Sequence, residues 1–476
     1  GTNSVSATAT DAAGNTSSAG TQTLTIDTTA PNAPAVTSAT LSNSTTPILT
    51  GTAEADSTVT VTIGGATYTT TATNGTWSIN LATATPTAGS LSLDPNGSNT
   101  VSATATDAAG NTSSAGTQTL TIDTTAPNAP TVTTTLSDST TPTLTGTAEA
   151  GSTVTVSVGG ATYTTTATNG TWSLNLATAT PASGSLNLNA NGTNSVSATA
   201  TDAAGNVSSA GTQSLTIDTT APNAPAVTSA ALSNSTTPIL TGTAEAGSTV
   251  TVTVGGATYT TTATNGTWSL NLATATPASG SLSLNANGSN AVTATATDAA
   301  GNVSAPGTQT LTIDATAPNA PTVTSAALSN STTPILTGTA EAGSTVTVTV
   351  GGATYTTTAT NGTWSINLAT ATPTAGSLSL NANGSNAVAA TATDAAGNAS
   401  APGTQTLTID TTAPNAPTVT TTLSDSATPT IAGTAEAGST VTVTVGGATY
   451  TTTATDGSWS LNLATATPTA GSLNLD

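Results

Sequence analysis

The chain has 476 residues with 21 acidic side chains, no lysine, arginine or histidine, and a formal charge of −21. Nucleic acid is excluded as a partner, because no side chain could neutralise phosphates. The absence of cysteine removes disulfides and thiolate metal sites. Trypsin-like proteases find no site, no apolar run is long enough for a membrane-spanning helix, and no signal peptide is visible.

Charged residues make up only 4 %, and the bulk is Thr, Ser, Ala, Gly, Val and Asn, a composition rich in strand and turn formers. Internal repetition dominates. The tryptophans Trp77, Trp172, Trp268, Trp364 and Trp459 are spaced by 95, 96, 96 and 95 residues. The aspartates of the recurring "TIDTTAPNAP" stretch, Asp27, Asp123, Asp218, Asp314 and Asp410, step by 96, 95, 96 and 96. That period suits a small autonomous β-sandwich and is too long for a solenoid repeat. Residues 1–27 read as the closing strands of a partial unit. Four full units follow at 28–123, 124–218, 219–314 and 315–410, and 411–476 reads as the opening strands of another partial unit. A window cut from a longer array explains this phase. Alternatively, each chain's end completes the next chain's sandwich, giving a self-assembling fibre joined head to tail by strand complementation.

Within the first full unit, period-2 alternation marks the strands in order. "PAVTS" begins strand A, and "PILTGTAEA" carries strand B with Leu49 facing the core. "STVTVTIGG" is strand C, with Val59, Val61 and Ile63 inward and Thr58, Thr60 and Thr62 outward. "ATYTTTATNG" is strand D, ending in an Asn-Gly hairpin turn. "TWSINLA" follows with Trp77, Ile79 and Leu81 inward. "NTVSATATDAAGN" turns Val101, Ala103 and Ala105 inward, and "TQTLTID" closes the unit with Leu120 and Ile122. The fold expected is all-β: tandem seven-stranded immunoglobulin-like sandwiches arranged as a linear rod. Five sandwiches in line would span on the order of 200 Å.

Threading seven antiparallel strands brings the B–C loop, the F–G loop and the incoming linker to one pole. Asp27, Glu54 and Asp107 then meet at one junction, as do Asp123/Glu149/Asp202, Asp218/Glu245/Asp298 and Asp314/Glu341/Asp394. Asp410 and Glu436 lack a downstream "DAAGN", and Asp11 lacks its upstream partners. Clustered carboxylates with no basic residue, His or Cys suit a hard cation, above all calcium, which takes six to eight oxygen ligands. Each acid also has a plainer role. Asp107 could make an Asx-turn beside Gly110, Asp27 could cap the first turn of the linker, and Glu54 could be a solvated loop residue. Asp56, Asp94, Asp138, Asp425 and Asp456 occur in only some copies and read as surface charge.

"TATDAAGN", "IDTTAPNAP" and "GTAEAGSTVTV" resemble the bacterial Ig-like repeats of giant surface adhesins. These include Bap-type biofilm-associated proteins and the extender regions of type I-secreted RTX adhesins. The resemblance implies an extracellular or surface-displayed bacterial stalk that supports adhesion and biofilm formation, with calcium stiffening the junctions between domains. Carried over, that role falls on the linker aspartates, the "AEA" glutamates and the "DAAGN" aspartates named above. The partners implied are further copies of the repeat, in a longer chain or fibre. Cell-surface or matrix components would be met through regions outside this chain, with no membrane insertion in this segment. A glycan- or ice-binding module is another reading of the outward threonine ladders, although alternation turns threonine outward in any case. An enzyme is not expected: no His, Cys or Lys is present for nucleophilic or general-base work, and catalysis does not explain the repetition.

Overall fold

The computed structural model describes residues 1–475, and every regular element in it is a β-strand. Asp476, at the end of the last partial unit, lies outside the described residues. Among the described residues no helix is long and apolar enough to cross a membrane.

Residues 1–27 form one hairpin, in which β1 (Thr2–Ala7) pairs antiparallel with β2 (Gly20–Thr25). The first full unit contains β3 (Ala35–Val36), β4 (Leu41–Ser42), β5 (Ile48–Thr52), β6 (Thr58–Ile63), β7 (Ala66–Thr71), β8 (Thr76–Asn80), β9 (Ser98–Thr106) and β10 (Gly116–Ile122). Its two sheets run β3-β5-β8 and β4-β10-β9-β6-β7. The later full units repeat this order. In the second and third, the connection after the tryptophan strand adds a two-residue edge strand, Ser183–Gly184 and Ser279–Gly280.

Seven of these strands fall where alternation places them, because a strand buried on one face needs an apolar residue at every second position. Val59, Val61, Val101, Ala103, Ala105 and Ile122 are fully buried, and Trp77 lies across Gly51 of the neighbouring strand. Asn74 and Gly75 hold the tight hairpin turn at φ of 51° and 82°.

The first strand departs from a single antiparallel edge. The chain pairs with β5 for two residues as β3, crosses to the other sheet, and pairs parallel to β10 as β4. The crossing is held by Gln118 of β10, whose Nε2 donates to the Ser38 carbonyl at 2.8 Å while its Oε1 accepts from the Ser38 hydroxyl at 3.1 Å. The first strand thus forms one edge of each sheet.

Each full unit has its own apolar cluster, and none is shared across a junction. The last unit shows what the closing hairpin contributes. Without it, Val419 is 59 % exposed, against 8 % for Val132 at the same place in the second unit. The hairpin at the other end is open in the same way: Leu24 and Ile26 are each 50 % exposed, whereas Leu120 and Ile122 are buried.

Candidate functional site at the junctions

The "DAAGN" aspartate organises its own loop. The Asp107 Oδ1 accepts from the backbone N–H groups of Ala109 and Asn111, both at 2.9 Å, and its Oδ2 accepts from the Asn111 side chain at 2.8 Å. This is the Asx-turn geometry that a short polar side chain adopts beside a glycine. In Asp107 the Asn111 side-chain bond and the backbone donors outweigh desolvation and hold the carboxyl below the usual carboxylate range. In Asp202, Asp298 and Asp394 burial acts more strongly in the raising direction. The donors from Asn206, Asn302 and Asn398 still prevail, so these carboxyls are also lowered. Asp11 makes the same bonds within its loop and is lowered first by its Asn15 side chain.

The linker aspartates share a second pattern. Each turns Oδ1 back onto the N–H two residues on: Asp27 to Thr29, Asp123 to Thr125, Asp218 to Thr220, Asp314 to Thr316 and Asp410 to Thr412. The prolines that follow are buried on the downstream unit: Pro31 and Pro34, Pro127 and Pro130, Pro222 and Pro225, Pro318 and Pro321. At the last junction, where the downstream closing hairpin is absent, Pro414 is exposed. The docking explains a recurrent glycine: a Cβ on Gly211 would overlap the Pro130 carbonyl, and Gly116, Gly307 and Gly403 stand in the same relation to Pro34, Pro225 and Pro321.

At the first junction Asp27, Glu54 and Asp107 line one cavity of about 400 Å³, together with Asp56 and the first turn of the F–G loop. At the second, Glu149 lines a separate cavity of about 320 Å³ beside Asn128 and Ala129 of the linker. Glu54, Glu149, Glu245, Glu341 and Glu436 are all exposed, while Asp107, Asp123, Asp202, Asp218, Asp298, Asp314 and Asp394 are half-buried. As the side chains stand, no group of three or more acids among the described residues is drawn together tightly enough to hold a metal ion. In kind, the donors fit a hard cation: each junction offers carboxylate and carbonyl oxygens, and no lysine, arginine or histidine competes for them.

Sequence reasoning missed the asparagines. Asn111 Nδ2 donates to the Asp27 carbonyl, Asn206 to Asp123, Asn302 to Asp218 and Asn398 to Asp314, at 3.1, 2.8, 2.7 and 2.7 Å. On the upstream side, Asn96 Oδ1 accepts from the N–H and hydroxyl of Thr124 at 2.8 and 3.0 Å. Asp138 is more than surface charge: a Cβ on Gly301 of the next unit would lie 3.4 Å from its Oδ2, and Asn43 faces Gly205 in the same way. The available signal was recurrence, since Asn111 and Asn96 and their counterparts repeat as strictly as the aspartates, whereas Asn43 is exchanged for aspartate in some units.

A search of curated proteins finds no match. Among solved structures, the chain is 26 % identical to one described as a tetra-tandem repeat in the extending region of a large adhesion protein. That alignment covers 80 % of this chain and 100 % of the other, with a TM-score of 0.27. It is 13 % identical to fibronectin(III)-like modules from Clostridium thermocellum, covering 39 % of this chain and 94 % of that one, with a TM-score of 0.26. The family profile described as bacterial Ig-like domain matches residues 35–124, 131–219, 226–315 and 319–411. With four matches in succession over most of its length, the chain belongs to the bacterial Ig-like domain family.

Proposed function

We propose that this chain is a stretch of stalk: an extender that holds a bacterial surface adhesin or extracellular fibre away from the cell and so supports adhesion and biofilm formation. The observation that carries the reading is the docked linker. At the four junctions that lead into a full unit the two prolines are buried on the downstream sandwich, and the carbonyl of the second abuts a glycine with no side chain to displace it. Proline and the residue before it are already confined to extended geometry. A joint built this way transmits length and resists bending, which suits serial repetition of one sandwich better than binding or catalysis.

Calcium at the junctions is part of the proposal. Asp27, Glu54 and Asp107, and their counterparts Asp123/Glu149/Asp202, Asp218/Glu245/Asp298 and Asp314/Glu341/Asp394, would supply the carboxylate oxygens. Asp410, Glu436 and Asp11 would do so where further units adjoin. A bound divalent cation would supply the positive charge that the sequence lacks, relieving repulsion between a linker and the two loops of the next unit. Support comes from the all-oxygen donor set and from the cavity that gathers the first trio. At free calcium ten times the dissociation constant, each site would add about 1.4 kcal/mol to the unit it ties down.

The test is X-ray scattering and thermal melting of the whole chain, with calcium and with a chelator. Calcium should raise both the maximum dimension and the melting temperature; identical values under both conditions would remove calcium from the mechanism.

A further inference from the structure

We propose that Asn111, Asn206, Asn302 and Asn398 fix the angle between consecutive units, each acting as a hydrogen-bonded clamp that works without a metal ion. A primary amide has two N–H bonds, and both are used. One goes to the Asp Oδ2 of the same loop, at 2.8, 2.7, 2.8 and 2.8 Å in the four units. The other crosses the junction to the backbone carbonyl of the upstream linker aspartate. The backbone N–H of the same asparagine donates to the other oxygen of that loop carboxylate, at 2.9, 2.8, 2.9 and 2.9 Å. The carboxylate therefore aims the amide, and the amide grips the linker.

The gripped residue also belongs to the upstream unit. Asp123 donates its N–H to the Ser42 carbonyl at 3.0 Å, and Thr124 is held through Asn96. One residue thus has its N–H bonded to the sandwich behind and its C=O bonded to the sandwich ahead. A change of angle between units must break one of these bonds or distort Asp123 itself.

The residue type follows from the composition. Without lysine, arginine or histidine, only an amide side chain can present two N–H groups. An aspartate would set a second carboxylate against Asp202 and against a carbonyl, and a serine has one donor where two are needed. Where the upstream unit is complete, the asparagine's loop is also covered by Asn43, Asp138 or Asn234, which face Gly205, Gly301 and Gly397. The clamp needs no calcium, although it shares its loop carboxylates with the proposed calcium ligands and acts on the same joint.

The experiment uses the whole chain in chelator, comparing wild type with a variant carrying Asn111→Ala, Asn206→Ala, Asn302→Ala and Asn398→Ala. Wild type should stay extended. The variant should shorten toward the limit of freely jointed units, a loss of roughly twofold in mean end-to-end distance, since such segments add as the square root of their number. Tryptophan fluorescence should still report folded units, because the apolar clusters are separate. Equal dimensions for variant and wild type, or a wild type that collapses in chelator as far as the variant, would overturn the clamp. Should the quadruple variant misfold, Asn206→Ala alone is read by spin labels on cysteines at Thr69 and Thr164. The distance distribution should broaden, and an unchanged width would overturn the proposal. Every arm is run in chelator, so a failure of calcium to stiffen the array leaves this outcome separately readable.

Discussion

Gly146→Ala is expected to destabilise the second unit alone. Gly146 pairs with Trp172 and stands under its indole. A Cβ added there would overlap the Thr131 carbonyl and lie 2.7 Å from Cε2 and Cζ2 of the ring. Neither neighbour has room to yield. Thr131 is paired into the sheet edge, and Trp172 is buried with its Nε1 donating to the Thr131 carbonyl at 3.2 Å. Overpacking of a filled core costs about 1–3 kcal/mol, and losing the indole bond with an adjoining ladder bond adds about 1 kcal/mol each. A sum of about 3–5 kcal/mol lowers the melting temperature of a domain this size by about 12–40 °C.

The control is Gly151→Ala. That glycine has φ of 86° with nothing within 4 Å of the added atom, so only backbone strain of about 1–2 kcal/mol applies. Thermal melting of the whole chain by tryptophan fluorescence is the assay, with one tryptophan of five reporting the mutated unit. The signal of Trp172 should melt well ahead of the rest in Gly146→Ala and only slightly early in Gly151→Ala. If Gly146→Ala melts no earlier than Gly151→Ala, close packing under the indole is not what requires glycine.

Two further outcomes follow from the geometry. The loop carboxyls of Asp107, Asp202, Asp298 and Asp394 are lowered on folding. Their contribution to stability is therefore fully present above the unfolded aspartate value of about 3.9 and is lost as pH falls through the lower folded value. The melting temperature should be level from neutral pH to about 5 and decline only in stronger acid. A decline centred above pH 5 would assign the acid sensitivity to other groups. Separately, a synthetic hairpin with the sequence of residues 97–123 should bind the open face of the last unit, where Val419 and Leu423 are 59 % and 92 % exposed. It should raise the melting temperature of that unit in a dose-dependent way. A chain shortened to end at residue 410 should show no effect, and no rise in the full chain would mean that the open face is not the hairpin's slot.

The sequence alone determined what repeats locally. Strand positions follow from alternation, because a pleated strand buried on one face writes a two-residue period into its own stretch; Val59, Val61 and Ile63 were legible for that reason. Recurrence of the tryptophan gave the unit length. Counting strand directions placed Asp27, Glu54 and Asp107 at one pole, since each hairpin reverses the chain, and at the first junction the three line one cavity. Only the tertiary structure decided what those residues bond to there. Asn206 finds the Asp123 carbonyl 83 residues away across a junction, and Gln118 draws the first strand to the opposite sheet from 80 residues away. No short-range pattern encodes a partner that distant. Neutral amides also carry no charge to draw attention, so the carboxylates were visible in the sequence while the amides that hold them were not.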